Sequence, residues 1–243
     1  MSVADVDLCY MSAIDVLANF KSKSLSPVEY IQTLIKRAEE VEVSINAFSS
    51  THFEYAIEKA KVAERIYMKE GESARLLEGL PIAIKEAMSI EGMPLTSSSL
   101  YFKDNVATET HYAVQRLLDE GAIVHARTTT PEFSCAGITS SKLYGVTSTP
   151  WNSKYTAGGS SGGSAASLAA GSTPLATGSD IGGSIRVPAA CCGIVGYKPP
   201  HGRVPCNSDL STDIYHSTGA MSRNLKDAIL MQNIMSGPHP FDN

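Results

Sequence analysis

Gly158-Gly159-Ser160-Ser161-Gly162-Gly163-Ser164-Ala165-Ala166 and Gly178-Ser179-Asp180-Ile181-Gly182-Gly183-Ser184-Ile185-Arg186 are the two stretches on which the reading of this chain turns. Glycine at this density lets main chain approach main chain, or a ligand, with no Cβ in the way. Serines in such loops sit where backbone amides converge on a developing negative charge. Either loop alone has the composition of a flexible linker. Together they do not, because Asp180, Ile181, Arg186 and Pro188 bring ordered chemistry into the second.

Three common glycine motifs fit poorly. A phosphate-cradling loop needs Lys after its glycines, and Gly163-Ser164 supplies none. The dinucleotide pattern GxGxxG fails on spacing. The hydrolase elbow GxSxG is matched in form by Gly159-Ser160-Ser161-Gly162-Gly163, which makes Ser161 the nucleophile. That elbow follows a buried strand, whereas Trp151 to Thr156 is polar.

Around the loops the texture is α/β. Leu80–Ile84, Ile123–Ala126, Thr173–Ala176 and Cys192–Val195 are short apolar runs that read as strands. Helices are expected over 26–42, 53–70, 111–120, the small-residue stretch after Ser164, and 224–235. Ser26-Pro27-Val28-Glu29 carries a capping residue, Pro at the first helical position and Glu at the third. Gly121 is placed to terminate the third of these helices. Lys36-Arg37 followed by Glu39-Glu40 reads as a solvated helix face. A loop is expected over 71–78. Alternation of helices with short strands implies a mixed or mainly parallel sheet with helices on its faces.

Bulk properties narrow the function. Across 243 residues, 43% are hydrophobic and 19% charged, and the formal net charge is −5, so neither nucleic acid nor an anionic membrane is an expected partner. The uncharged run Tyr155–Ser179 is too rich in Gly, Ser and Ala to span a bilayer. Asp5, Asp7 and Asp15 with no Lys or Arg among them argue against a secretory signal. Five cysteines without CxxC spacing fit a reducing cytoplasm. Cys191 and Cys192 read as small core residues, and Met88, Met93 and Met221 as packing. The histidines show no ligand spacing, so no metal and no cofactor is assigned.

The sequence resembles the amidase signature family of serine hydrolases. Gly79-Leu80-Pro81-Ile82-Ala83-Ile84-Lys85-Glu86 looks like the family's strand bearing the catalytic lysine. Thr130-Pro131-Glu132-Phe133, Gly145 through Asn152, the two Gly/Ser loops, Gly196-Tyr197-Lys198-Pro199 and Gly202-Arg203-Val204 complete the pattern in order. The gaps also fit: 75 residues separate Lys85 from Ser160, and 24 separate Ser160 from Ser184.

The resemblance implies a triad of Ser184 as nucleophile, Ser160 after a cis bond as proton relay, and Lys85 as base. It also implies an oxyanion hole at the amides of Ile181, Gly182, Gly183 and Ser184, with Ser161, Asp180 and Arg186 in support. A lysine serves as base only when neutral, which burial beside the apolar run Leu80–Ile84 favours. The implied activity is hydrolysis of a carboxylic amide to acid and ammonia or amine. A glutamine-hydrolysing amidotransferase subunit for tRNA-dependent amidation, or a non-catalytic remnant, stands as the alternative.

Family members are longer, so the fold class expected here is an amidase-signature α/β sheet covered by helices and incomplete at its C-terminal side. Residues 1–78 are expected to form a helical segment packed on an α/β core at 79–243, the two making one structural domain. A small-molecule amide is the expected partner, with a homodimer mate or another chain to complete the core.

Overall fold

The computed structural model describes residues 1–70, 74–208 and 210–242. Of the loop expected over 71–78, residues 71–73 lie outside this description. Two helices that the sequence reading did not anticipate open the chain, α1 (Val3–Tyr10) and α2 (Ala13–Ser22). Ser2 and Ser12 cap them by accepting from the Asp5 and Asp15 amides, which would otherwise be orphan donors.

Next comes α3 (Pro27–Ile45), started as its sequence demands, with the Ser26 hydroxyl accepting from the Val28 and Glu29 amides. Tyr30, Ile31, Leu34, Ala38 and Ile45 form its buried stripe. Arg37 departs from the expected solvated face: its Nε donates to the Ala170 carbonyl at 2.8 Å.

The remaining elements are β1 (Phe48–Thr51), α4 (Phe53–Glu70), β2 (Pro81–Lys85), α5 (Tyr112–Asp119) and β3 (Ile123–Thr128), then the small pair β4 (Ser140–Ser141) and β5 (Gly145–Val146). They are followed by α6 (Gly162–Ala169), β6 (Leu175–Asp180), α7 (Arg186–Cys192), β7 (Val195–Gly196), β8 (Ser217–Ser222) and α8 (Leu225–Met235). Gly121, with φ of 88°, turns the chain from α5 into β3 as anticipated.

Two expectations shift. The strand expected at 173–176 runs over Leu175–Asp180 instead, because Pro174 has no amide for a ladder. Cys192 ends a helix rather than opening a strand, and the strand starts at Val195, after left-handed Gly193.

One six-stranded sheet, in the order β1-β3-β2-β6-β8-β7, carries the fold. β3, β2 and β6 are mutually parallel, while β1, β8 and β7 join antiparallel. This is a mixed α/β architecture with helices on both faces. Side-chain alternation along β2 divides the core. Ile82 and Ile84 face a cluster that includes Phe20, Leu34, Leu117 and Met231. Ala83 joins a small-residue cluster with Ala126, Ala176 and the alanines of α6. Lys85 shares the parity of Ala83 and therefore the α6 side. Every residue of α6 is buried, which only a Gly/Ser/Ala helix pressed on alanine strands permits.

The N-terminal helices are latched to the end of β8. Arg223 donates to the Leu168 and Thr173 carbonyls and to those of Cys9 and Met11. Asp227 is buried and accepts from the Ala13 and Ile14 amides at 2.8 and 3.1 Å, so α8 supplies a cap for α2. Among the described residues no helix is long and apolar enough to cross a membrane. Asp227→Ala leaves those amides without their acceptor. It should lower stability by about 1.5–3 kcal/mol, read as a shift in the urea midpoint; an unchanged midpoint would show that this latch carries no weight.

Candidate active site

Lys85 is the last residue of β2 and is completely buried. Its Nζ lies 2.6 Å from Ser160 Oγ and 2.9 Å from Ser179 Oγ. Burial drives its pKa from 10.5 down to about 7, against the opposing pull of the Asp180 and Glu86 carboxylates. Desolvation wins because, among the described residues, no anion makes a direct ion pair with this amine.

The first Gly/Ser loop delivers Ser160. The Gly159–Ser160 peptide is cis. A Cβ on Gly159 would stand 2.7 Å from the Ala136 carbonyl oxygen, so only glycine fits there. Ser161 is buried and turned away from solvent. Its Oγ accepts from the Ser179 amide at 3.4 Å and donates to the Ser179 carbonyl at 3.5 Å. Its own amide donates to the Ser184 carbonyl at 3.1 Å. Ser161 thus stitches the two loops together, and its hydroxyl is closed to the attack that a GxSxG reading requires.

Asp180, the last residue of β6, organises the second loop. Its carboxylate accepts from the amides of Gly183 (2.8 Å), Ile185 (3.1 Å) and Arg186 (3.3 Å), and from Arg186 Nε (3.0 Å) and Nη2 (2.9 Å). Burial alone would raise its pKa, but the Arg186 side chain and these amides outweigh it and hold the carboxyl at about 2. The turn so fixed presents Ser184, half-buried, in the cleft that Ser160 and Ser179 also line. Ser184 Oγ makes no hydrogen bond to Ser160 or Lys85 in this state. Among the described residues the amides of Ile181, Gly182 and Ser184 have no protein acceptor, whereas that of Gly183 is engaged by Asp180.

The structure therefore brings together Lys85, Ser160 and the Asp180–Arg186 brace, and sets Ser184 in the same cleft. Sequence reasoning passed over Ser179, which no motif singled out. It also passed over His216, whose pKa is lowered by burial and then by Lys85. Met88 lines the cleft, while Met221 is core and Met93 packs against core. Cys192 is buried as expected, but Cys191, on the short helix α7, is exposed.

A family model described as Amidase matches residues 29–243. The acylamidase of Rhodococcus erythropolis is 38% identical over 242 residues, covering 99% of this chain and 50% of that protein. A glutamyl-tRNA(Gln) amidotransferase subunit of Brachyspira hyodysenteriae is 40% identical over 245 residues, covering 98% and 50%. The crystal structure of a bacterial aryl acylamidase of the amidase signature enzymes superposes with a TM-score of 0.90 at 33% identity, covering 96% of this chain and 49% of that one. The chain spans about half the length of the curated relatives it matches.

A depressed lysine has a stability signature. In the unfolded chain Lys85 titrates near 10.5 and in the folded chain near 7. Between those values the unfolded state holds a proton that the folded state has released, so stability rises with pH across that window. Below pH 7 the penalty is fully present. Lys85→Met cannot titrate; it should be more stable than the parent at pH 7, with the gap closing as pH climbs toward 10.5. Urea midpoints of both proteins across this range check it, and a gap independent of pH would contradict it.

Proposed function

This chain belongs to the amidase family, and on that premise we propose that it cleaves the C–N bond of a carboxylic amide through an acyl-enzyme on Ser184, releasing an acid and ammonia or an amine. The observation that carries this reading is the buried, depressed amine of Lys85 at 2.6 Å from Ser160 Oγ. An alkyl hydroxyl needs a base within reach to act as a nucleophile at neutral pH.

In the proposed sequence Ser184 Oγ bonds to the amide carbon while its proton passes to Ser160 Oγ, and the Ser160 proton passes to Lys85 Nζ. The resulting oxyanion is held by the free amides of Ile181, Gly182 and Ser184, and the Gly183 amide holds the turn through Asp180. Collapse breaks the C–N bond as the proton returns from Lys85 through Ser160 to the leaving nitrogen, since an amide anion is a very poor leaving group. Water then releases the acid by the same relay. The Ser160–Ser184 contact closes when substrate fills the cleft; such hydrogen bonds are often long in unliganded sites. Asp180 and Arg186 brace the turn, and Ser161 fixes its distance from Ser160.

Residues 1–78 and 79–243 act in this reading as one structural domain, supported by β1 lying within the sheet and by the Arg223 and Asp227 latches. A cytoplasmic setting is supported by five free cysteines. The substrate is taken to be a small-molecule amide. A glutaminase role within an amidotransferase is the second reading, supported by the likeness to the Brachyspira protein; it requires glutamine turnover that depends on a partner chain.

A fluorophosphonate probe tests the site itself. It should label Ser184 at a rate that rises with pH through about 7, as Lys85 gives up its proton. Lys85→Met or Ser160→Ala should slow labelling by about 10²–10⁴-fold, and Ser184→Ala should abolish it. Labelling of the folded protein at another residue, or a rate indifferent to Lys85, would overturn the assignment.

A further inference from the structure

Lys85 has two hydroxyl neighbours, and the triad uses only one. Besides Ser160 Oγ at 2.6 Å, the amine lies 2.9 Å from the Oγ of Ser179. Ser179 sits on β6 immediately before Asp180, opposite Thr218 of β8, and lines the cleft. Its backbone is gripped at both amide and carbonyl by Ser161 Oγ, so its side chain leaves from a fixed platform.

A neutral amine has two N–H donors and one lone pair. To take a proton from Ser160 the lone pair must face Ser160, and the N–H bonds must point elsewhere. Among the described residues Ser179 Oγ is the other hydrogen-bond partner of Nζ. An amine held on one side only would be free to rotate about its terminal bond and present an N–H, instead of the lone pair, to Ser160.

We propose that Ser179 is a positioning residue whose hydroxyl oxygen accepts an N–H of the Lys85 amine and thereby turns its lone pair toward Ser160. The inference rests on the reading of Lys85 as base. In the step itself the Ser160 O–H bond breaks and an Nζ–H bond forms, while Ser179 keeps its own proton and remains an acceptor for the new ammonium. The charged and titratable groups facing this amine are Asp180 at the end of β6, Glu86 beyond β2 and His216 ahead of β8.

An oxygen that accepts from Nζ stabilises the ammonium more than the neutral amine. Removing the Ser179 hydroxyl should therefore move the Lys85 midpoint below its parental value of about 7, even as proton transfer slows. A merely structural role would reduce the folded fraction and leave the midpoint of the folded molecules where it was.

The experiment is an NMR titration of [13Cε]lysine-labelled protein, with the Lys85 signal identified by its loss in Lys85→Met, alongside fluorophosphonate labelling rates per folded molecule. Ser179→Ala should lower the midpoint and slow labelling about tenfold, the scale of one hydrogen bond; Ser179→Thr should restore both. Ser179→Val, the same shape as Thr without the hydroxyl, makes the same comparison should the Ala variant fold poorly. An unmoved midpoint in the Ala and Val variants, or a Thr variant indistinguishable from Val, overturns the proposal. Lys85→Met and Ser160→Ala labelled at the parental rate would sink the triad reading instead, and the titration would still decide whether Ser179 holds the amine.

Discussion

A lysine amine excluded from water is the constraint around which this structure is arranged. Burying such a group is unfavourable unless it sheds its proton or gains an anion, and among the described residues the hydrogen-bond partners of the Lys85 amine are two hydroxyls. The wall around it is made of residues small enough to seal the space: the alanines of β2, β3 and β6 face a helix of Gly, Ser, Ala and one Leu. Buried hydroxyls then satisfy the polar atoms that close packing strands. The Lys85 amide donates to Thr177 Oγ1, Ser164 Oγ donates to the Thr177 carbonyl, and Ser164 Oγ also pairs with Thr128 Oγ1 at 2.7 Å. Serine and threonine do here what water does at a surface, without raising the dielectric around the amine.

The same constraint explains how Asp180 is treated. A free carboxylate this close would draw Lys85 back to its charged form. The Asp180 charge is instead taken up by three backbone amides and two Arg186 nitrogens. Arg186 is itself largely exposed, so its contribution is geometric as much as electrostatic, with the carboxylate anchored below and the guanidinium in solvent. The result is an anion that shapes the turn bearing Ser184 while burial still governs the amine.

Much of this was legible in the sequence, and the failures have physical causes. Leu80–Ile84 announced β2 because a doubly buried parallel strand is a short apolar run, and Ser26-Pro27 announced α3 because capping chemistry is local. β8 escaped notice because Ser217-Thr218-Gly219-Ala220-Met221-Ser222 has no apolar run; it is a strand because β6 and β7 pair with it. α2 also draws on distant chain: two of its first-turn amides find their acceptor in Asp227, more than two hundred residues away, a partner that local sequence does not announce. Ser179 was invisible for a subtler reason. Its significance lies in one contact with Lys85, 94 residues distant, and a serine in a serine-rich loop gives no signal of which hydroxyl meets which amine.

Sheet topology is what makes such contacts converge. β3, β2 and β6 run parallel, so their carboxyl ends gather on one edge of the sheet, where open α/β sheets place their ligands. Lys85 ends β2, Ser179 and Asp180 end β6, and Thr128 ends β3 beside Ser164. An antiparallel partner for β6 on the β2 side would have sent one of these ends to the far edge. β8 is antiparallel and contributes differently: paired with β6 over six residues, from Leu175 opposite Ser222 to Asp180 opposite Ser217, it fixes that strand right up to the turn. At its other end Arg223 and Asp227 tie in the N-terminal helices. The strand that the sequence disguised most completely is thus the one that joins the periphery of the fold to the turn carrying Ser184.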